Sequence, residues 1–376
     1  MHNILGVDDW LEKGKIRKVT VIFSHHMEFP LVLELSLDYF ARFNKLKHTL
    51  KILLFGCGCG GDIVGCLPLY YRLISESHDV VLGSIVWERT ENFTEIGPIK
   101  FDNISDLVSI PNVDSDVIAY CTSNSKRISD GLIFQAARVS KALNEKIVII
   151  NINKGPKRIG ECLDGLAKEL GINLIICLDV GGDFIARGKE PGLESPLADA
   201  ISLASCFLAE TKSLLAIYGP NADGEISLSV LSQYFKEFLD AQLLLGKISH
   251  SNAVLNQVKR IIVENNITTE ASMQPILVAD GKFGYNPIRN GSRRVFLDNA
   301  LCATYIFDLK NVFSFCPIAN LILESDSIEQ ANNQILEKMN ITTEFEFEKR
   351  KQCELIIQNS NSNLPLSNNS EKKEEN

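Results

Sequence analysis

One stretch constrains this chain more than any other: Ile52-Leu53-Leu54-Phe55-Gly56-Cys57-Gly58-Cys59-Gly60-Gly61-Asp62-Ile63-Val64-Gly65. Four consecutive apolar residues without a polar face read as a strand covered on both sides. A glycine turn follows, and helical periodicity begins at Ile63. Strand, tight turn and helix open a βαβ unit, and such units build a parallel sheet wrapped by helices. The alternation recurs. Strands are expected over 51–55, 80–87, 116–120, 146–152, 174–180 and 213–218, and helices over 63–75, 131–143, 160–170, 196–210, 227–245 and 253–265. The expected fold class is α/β: a doubly wound, mostly parallel sheet with helices on both faces. The 281–294 stretch, rich in Gly, Asn and Arg, reads as a loop.

Four regions are expected. Residues 1–50 form an extension with a strand (18–23) and a helix (31–47), residues 51–322 the α/β domain, and 323–358 a helical or strand segment. Residues 359–376 are too polar to bury anything and read as a disordered tail. The chain carries 47 acidic and 38 basic side chains, a net −9 that argues against a nucleic-acid partner. No apolar run approaches the ~20 residues that span a bilayer, and residues 1–10 lack the apolar core of a signal peptide. Ten cysteines without that signal read as free thiols in a reducing compartment. The expectation is a cytoplasmic protein with a small-molecule ligand, no membrane and no nucleic acid. Oligomeric state stays open, a homo-oligomer included.

Gly56, Gly58 and Gly61 satisfy G-x-G-x-x-G directly between strand and helix, the setting in which backbone N–H groups approach a phosphate. Gly60 belongs to the same turn. Glu88, after the second strand, stands where such a site holds a ribose hydroxyl, and Arg89 could instead meet a 2′-phosphate. Asp62 runs against a simple dinucleotide reading, since a carboxylate there repels phosphate unless a cation intervenes. Otherwise it merely caps the helix. A second turn, Asp179-Val180-Gly181-Gly182-Asp183, follows the fifth strand. Ser195 reads as the N-cap of the next helix, with Pro196 at its first position and Asp199 in its first turn. Asp223 and Glu225 follow the sixth strand. In an open parallel sheet these ends share one crevice. Repeated carboxylates there imply a bound cation, raised pKa values or hydrogen bonds to substrate.

Other chemistries have less support. His78 and His250 fall at expected surface turns, and no Gly-x-Ser-x-Gly or Gly-Lys-Ser/Thr motif occurs. Cys57, Cys59 and Cys66 lack a fourth zinc ligand. Cys57 or Cys59 as a nucleophile would need a lowered pKa, which Asp62 opposes. Arg293 and Arg294 read as a solvated strand end or, alternatively, as a pair that reaches an anionic substrate group.

Taken together, GCGCGGDIVG with PLYYRL, then GSIVWER, DVGGDFIARGKE and SPLADA, resemble the mainly archaeal domain-of-unknown-function family number 1152, over residues 51–323. The resemblance implies a cytoplasmic, Rossmann-like α/β fold and supplies no reaction. Gly56, Gly58, Gly60, Gly61, Asp62, Gly181, Gly182, Asp183, Ser195 and Asp199 carry the match, whereas Cys57 and Cys59 replace the more usual glycine.

The leading expectation is an enzyme of small-molecule metabolism that binds a nucleotide or phosphorylated metabolite at Gly56, Gly58, Gly60, Gly61, Gly181 and Gly182. Asp62, Asp183 and Asp199 would be catalytic, and Asp62, Asp179 and Asp183 would hold Mg²⁺. Two alternatives remain: an NAD(P)-dependent oxidoreductase with Glu88 on the ribose, and a non-catalytic metabolite-binding protein.

Overall fold

The alternation within the central strands sets the architecture. In β1 (Lys51–Gly56), Leu53 and Phe55 enter one apolar layer while Ile52 and Leu54 enter another, so both faces of the sheet are buried. The computed structural model describes residues 49–89 and 95–362. The strand and helix expected within 1–50, and tail residues 363–376, lie outside the described residues.

In chain order the strands are β1, β2 (Asp79–Ile85), β3 (Ile104–Ser105), β4 (Ile118–Cys121), β5 (Lys126–Arg127) and β6 (Ile147–Ile150). They continue with β7 (Leu174–Val180), β8 (Ser213–Tyr218), β9 (Leu244–Ser249), β10 (Gly284–Ile288), β11 (Arg293–Leu297) and β12 (Ala303–Asp308). Eight of them form the main sheet in the order β4-β6-β2-β1-β7-β8-β12-β9. The five strands from β6 to β8 are mutually parallel; β4 and β12 run antiparallel to their neighbours.

One face is covered by α1 (Asp62–Ser75) and α2 (Gln135–Leu143), the other by α3 (Gly155–Leu170), α4 (Pro196–Leu208) and α5 (Leu228–Asp240). Then α6 (Asn252–Glu264) and α7 (Gln274–Ala279) join the α1 face. Packed on the α4 face are α8 (Leu309–Val312), α9 (Pro317–Leu321), α10 (Ile328–Met339) and the start of α11 (Glu344–Ser362). The protein is thus an α/β structure with a mostly parallel sheet between two helical layers.

All six expected strands lie in the sheet, but the segment at 116–120 is the antiparallel edge strand β4. The helix expected over 227–245 stops at Asp240. The chain turns through Gln242, at φ 59°, and enters β9, whose buried and half-exposed residues alternate. The consecutive leucines 243–245 hide that change of period. The expected loop at 281–294 is largely the hairpin β10–β11. The last helix continues to Ser362, past the start of the expected tail.

Helix α1 lies close to β7, because a Cβ at Gly65 would fall on Val180 Cγ2 and 3.3 Å from Tyr218 Cδ1. Gly65→Ala is expected to cost about 1–3 kcal/mol through overpacking, read as a lower urea midpoint. Val180→Ala in the same chain should recover part of it. An unchanged midpoint in the single variant would mean α1 lifts away freely.

Candidate functional site

Chain order reverses direction across β1. Its successor β2 pairs on one side and β7 on the other, so the connections leaving β1 and β7 diverge at their carboxyl ends and leave a crevice. Three connections feed it: Asp62 follows β1, Asp179, Asp183 and Asp199 run from the end of β7 to the first turn of α4, and Asp223 with Glu225 follows β8.

The carboxylates meet. Asp179, Asp183 and Asp199 each offer an oxygen, all within 4.8 Å of one another, and Asp183, Asp223 and Glu225 form a second such group. Cys57 Sγ, Asp62 and Asp199 form a third, so Asp183 and Asp199 join all three. Asp62 Oδ2 accepts the Gly58 N–H at 3.0 Å, Asp179 Oδ2 the Phe184 N–H at 3.3 Å, and Asp199 Oδ1 the Cys57 thiol at 3.4 Å. Asp223 Oδ1 accepts the Glu225 N–H at 3.3 Å, while its Oδ2 is buried without a hydrogen-bond partner among the described residues.

Burial, reinforced by mutual repulsion, raises these groups. Asp62 is pushed up to about 8 and Asp223 to about 7, and Asp179, Asp183 and Asp199 lie well above the usual carboxylate range. Glu225 goes the other way. Burial opposes its charge, but Arg293, the Ser195 hydroxyl and the N–H groups of Glu194 and Ser195 hold it below its ordinary value.

The glycines make room for carboxylates. A Cβ at Gly58 would stand 2.7 Å from Asp62 Oδ2 and 3.1 Å from Asp199 Oδ1. One at Gly60 would strike Glu88, and one at Gly181 (φ 128°) the Asp223 carboxyl. Gly182 (φ 109°) turns the chain toward Asp183, Gly56 approaches the Asp62 backbone, and Gly61 faces Thr269. Two of the turn's amides are spent internally: Gly58 N–H on Asp62, and Gly60 N–H on the Trp87 carbonyl at 2.9 Å. Glu88 stands across the turn and accepts the Gln135 N–H at 3.0 Å; burial pushes it up to about 7.

Several expectations change. Ser195 precedes α4, yet its hydroxyl donates to Glu225 and does not cap the helix. Arg293 is buried, donating to Glu225 at 3.0 Å and also to Glu194; Arg294 alone is exposed. The Cys57 thiol is pushed up to about 12 by burial, the opposite of an activated nucleophile. His78 and His250 are buried too. His78 Nδ1 accepts the Leu50 N–H at 3.1 Å, and His250 pairs with Thr304 Oγ1 at 2.8 Å, its imidazole held neutral by burial at about 3.

Sequence reasoning missed the part played by the 323–358 segment. Glu344 accepts the Leu197 and Ala198 N–H groups at 3.1 and 2.8 Å, capping α4 from outside. Glu348 accepts Trp87 Nε1 at 3.0 Å and the Gly97 N–H at 2.7 Å. Their i, i+4 spacing within Glu344-Phe345-Glu346-Phe347-Glu348 was the available signal.

Fold and crevice together define an α/β protein with a carboxylate-lined cleft at the switch point of its sheet. Residues 53–352 match the family described as Protein of unknown function (DUF1152), and the chain belongs to that family. No curated protein and no solved structure matches it. Among the described residues no helix is long and apolar enough to cross a membrane.

Proposed function

We propose that this protein is a cytoplasmic enzyme of small-molecule metabolism that holds Mg²⁺ between Asp179, Asp183 and Asp199 and acts on a nucleotide or phosphorylated metabolite. One observation carries the reading: three buried carboxylates offer oxygens within 4.8 Å of one another, and no basic side chain shares their hydrogen bonds. The orphaned Asp223 Oδ2 adds an acceptor beside them. Oxygen ligands of this kind suit a hard divalent cation. A bound Mg²⁺ would supply Lewis-acid polarisation of a phosphoryl oxygen. Asp62, raised to about 8, is placed to hold a proton near neutral pH and return it. The parallel strands, numbered among themselves, follow the order 3-2-1-4-5, which supports a Rossmann-like nucleotide-binding class.

The nicotinamide alternative has less support, because Glu88 is engaged by Gln135 and packed against Gly60. Free cysteines throughout fit a reducing compartment.

The test is titration of the full chain with Mn²⁺ or Mg²⁺ by calorimetry. Asp183→Asn removes a charge shared by two of the carboxylate groups and is expected to weaken cation binding about 10–100-fold, while leaving the metal-free fold as stable or more so. Equal affinity in the wild type and Asp183→Asn would sink the assignment.

A further inference from the structure

A cavity of about 500 Å³ has Arg89, Lys189, Glu190, Asn340, Thr342 and Phe347 in its wall, Glu190 being committed to the amides of Arg187, Gly188 and Lys189 and to the Tyr234 hydroxyl. Glu194 joins it to the carboxylates. It lines this cavity, binds Arg293, and donates its own N–H to Glu225 at 2.8 Å.

The two cations in the wall are unspent. Neither the Arg89 guanidinium nor the Lys189 ammonium has a hydrogen-bond or ion-pair partner among the described residues. The acidic groups in the field of Arg89 are already committed: Glu344 to the α4 amides, Glu348 to Trp87 and Gly97, Glu225 to Arg293 and Ser195. The field of Glu344, Glu225 and Glu348 offsets the hydration this half-buried guanidinium loses, yet its five N–H donors make no hydrogen bond among the described residues. A tetrahedral oxyanion matches that fork in two parallel hydrogen bonds, and Lys189 can add a point charge from the exposed side. The positive end of α4, the competing seat for an anion, is filled by Glu344.

We propose that the phosphoryl group of the substrate is seated in this cavity by Arg89 and Lys189, and not on the glycine turn. The proposal rests on the function given above for its reacting partner across Glu194. It assigns the chemistry of the ligand as a phosphate or pyrophosphate group, carried by a nucleotide or by a smaller metabolite.

The experiment titrates the full chain by calorimetry with inorganic pyrophosphate, with ADP and, separately, with Mn²⁺. Arg89→Gln should weaken pyrophosphate and ADP at least tenfold and leave Mn²⁺ affinity within twofold. Lys189→Gln, at an exposed position, should weaken both anions severalfold with an unchanged melting temperature, and it keeps the test decisive if Arg89→Gln folds poorly. ADP binding tighter than pyrophosphate supports a nucleotide occupant, and equal affinities support a metabolite without a base. Anion affinity untouched by Lys189→Gln and by a folded Arg89→Gln overturns the seat, as does wild-type chain that binds neither anion at millimolar concentration. Arg89-dependent anion binding without any Mn²⁺ binding overturns the metal reading alone.

Discussion

Arg293→Ala is expected to lower stability by about 3–5 kcal/mol, the range for stranding one member of a buried ion pair. Arg293 and Glu225 are 8% and 3% exposed, so water cannot replace the lost guanidinium. Glu225 would keep the Ser195 hydroxyl and two backbone N–H groups but lose its only cation within 4 Å among the described residues. The Asp223 carbonyl would also lose its bond from Arg293. Urea denaturation measures the cost, and adding Glu225→Gln to Arg293→Ala should recover more than half of it. A loss under about 1 kcal/mol in the single variant would place the pair among weakly coupled surface contacts.

The second large effect concerns pH. Without divalent cation, the chain is expected to become less stable as pH rises from 5 to 8.5. Asp223 and Asp62 ordinarily titrate near 3.8 but are raised by burial to about 7 and about 8 in the folded chain. The folded state therefore binds protons more tightly than the unfolded one across that interval, and stability falls with pH wherever this holds. Glu88 and Glu344, each pushed up to about 7, act in the same direction. Glu225, held below its ordinary value, contributes a constant amount above pH 5. Each unit is worth about 1.4 kcal/mol, and the loss is shared among these coupled groups. Urea midpoints in EDTA at pH 5.5, 7.0 and 8.5 should decline in that order, and saturating Mg²⁺ should flatten the decline. Midpoints that climb with pH in EDTA would refute the carboxylate account.

Much of this was legible in the residues, because the strongest signals were local. The apolar run before Gly56 and the paired glycines after Val180 located β1, β7 and their turns, and proximity of Asp62, Asp183, Asp199 and Asp223 followed from strand ends sharing one rim. Long-range facts were not legible. Nothing near Arg293 announces Glu225, and Glu344 reads as an ordinary solvated acid until α4 is placed above it. Glycine was also ambiguous by nature. The same absence of a Cβ serves a phosphate or a neighbouring carboxylate, and Gly58 and Gly60 accommodate Asp62 and Glu88. The hairpin β10–β11 was obscured by its abundance of turn-forming residues.

Glu344 and Glu348 reach back across 146 and 261 positions to grip Ala198 and Trp87. During synthesis, β1 and its glycine turn leave the ribosome long before those two acids exist. A nascent chain halted short of Glu344 displays α4 with its first amides bare, a ready seat for stray anions. The first turn of α4 thus gains its acceptor only when translation has passed Glu344, after every strand of the sheet has been made.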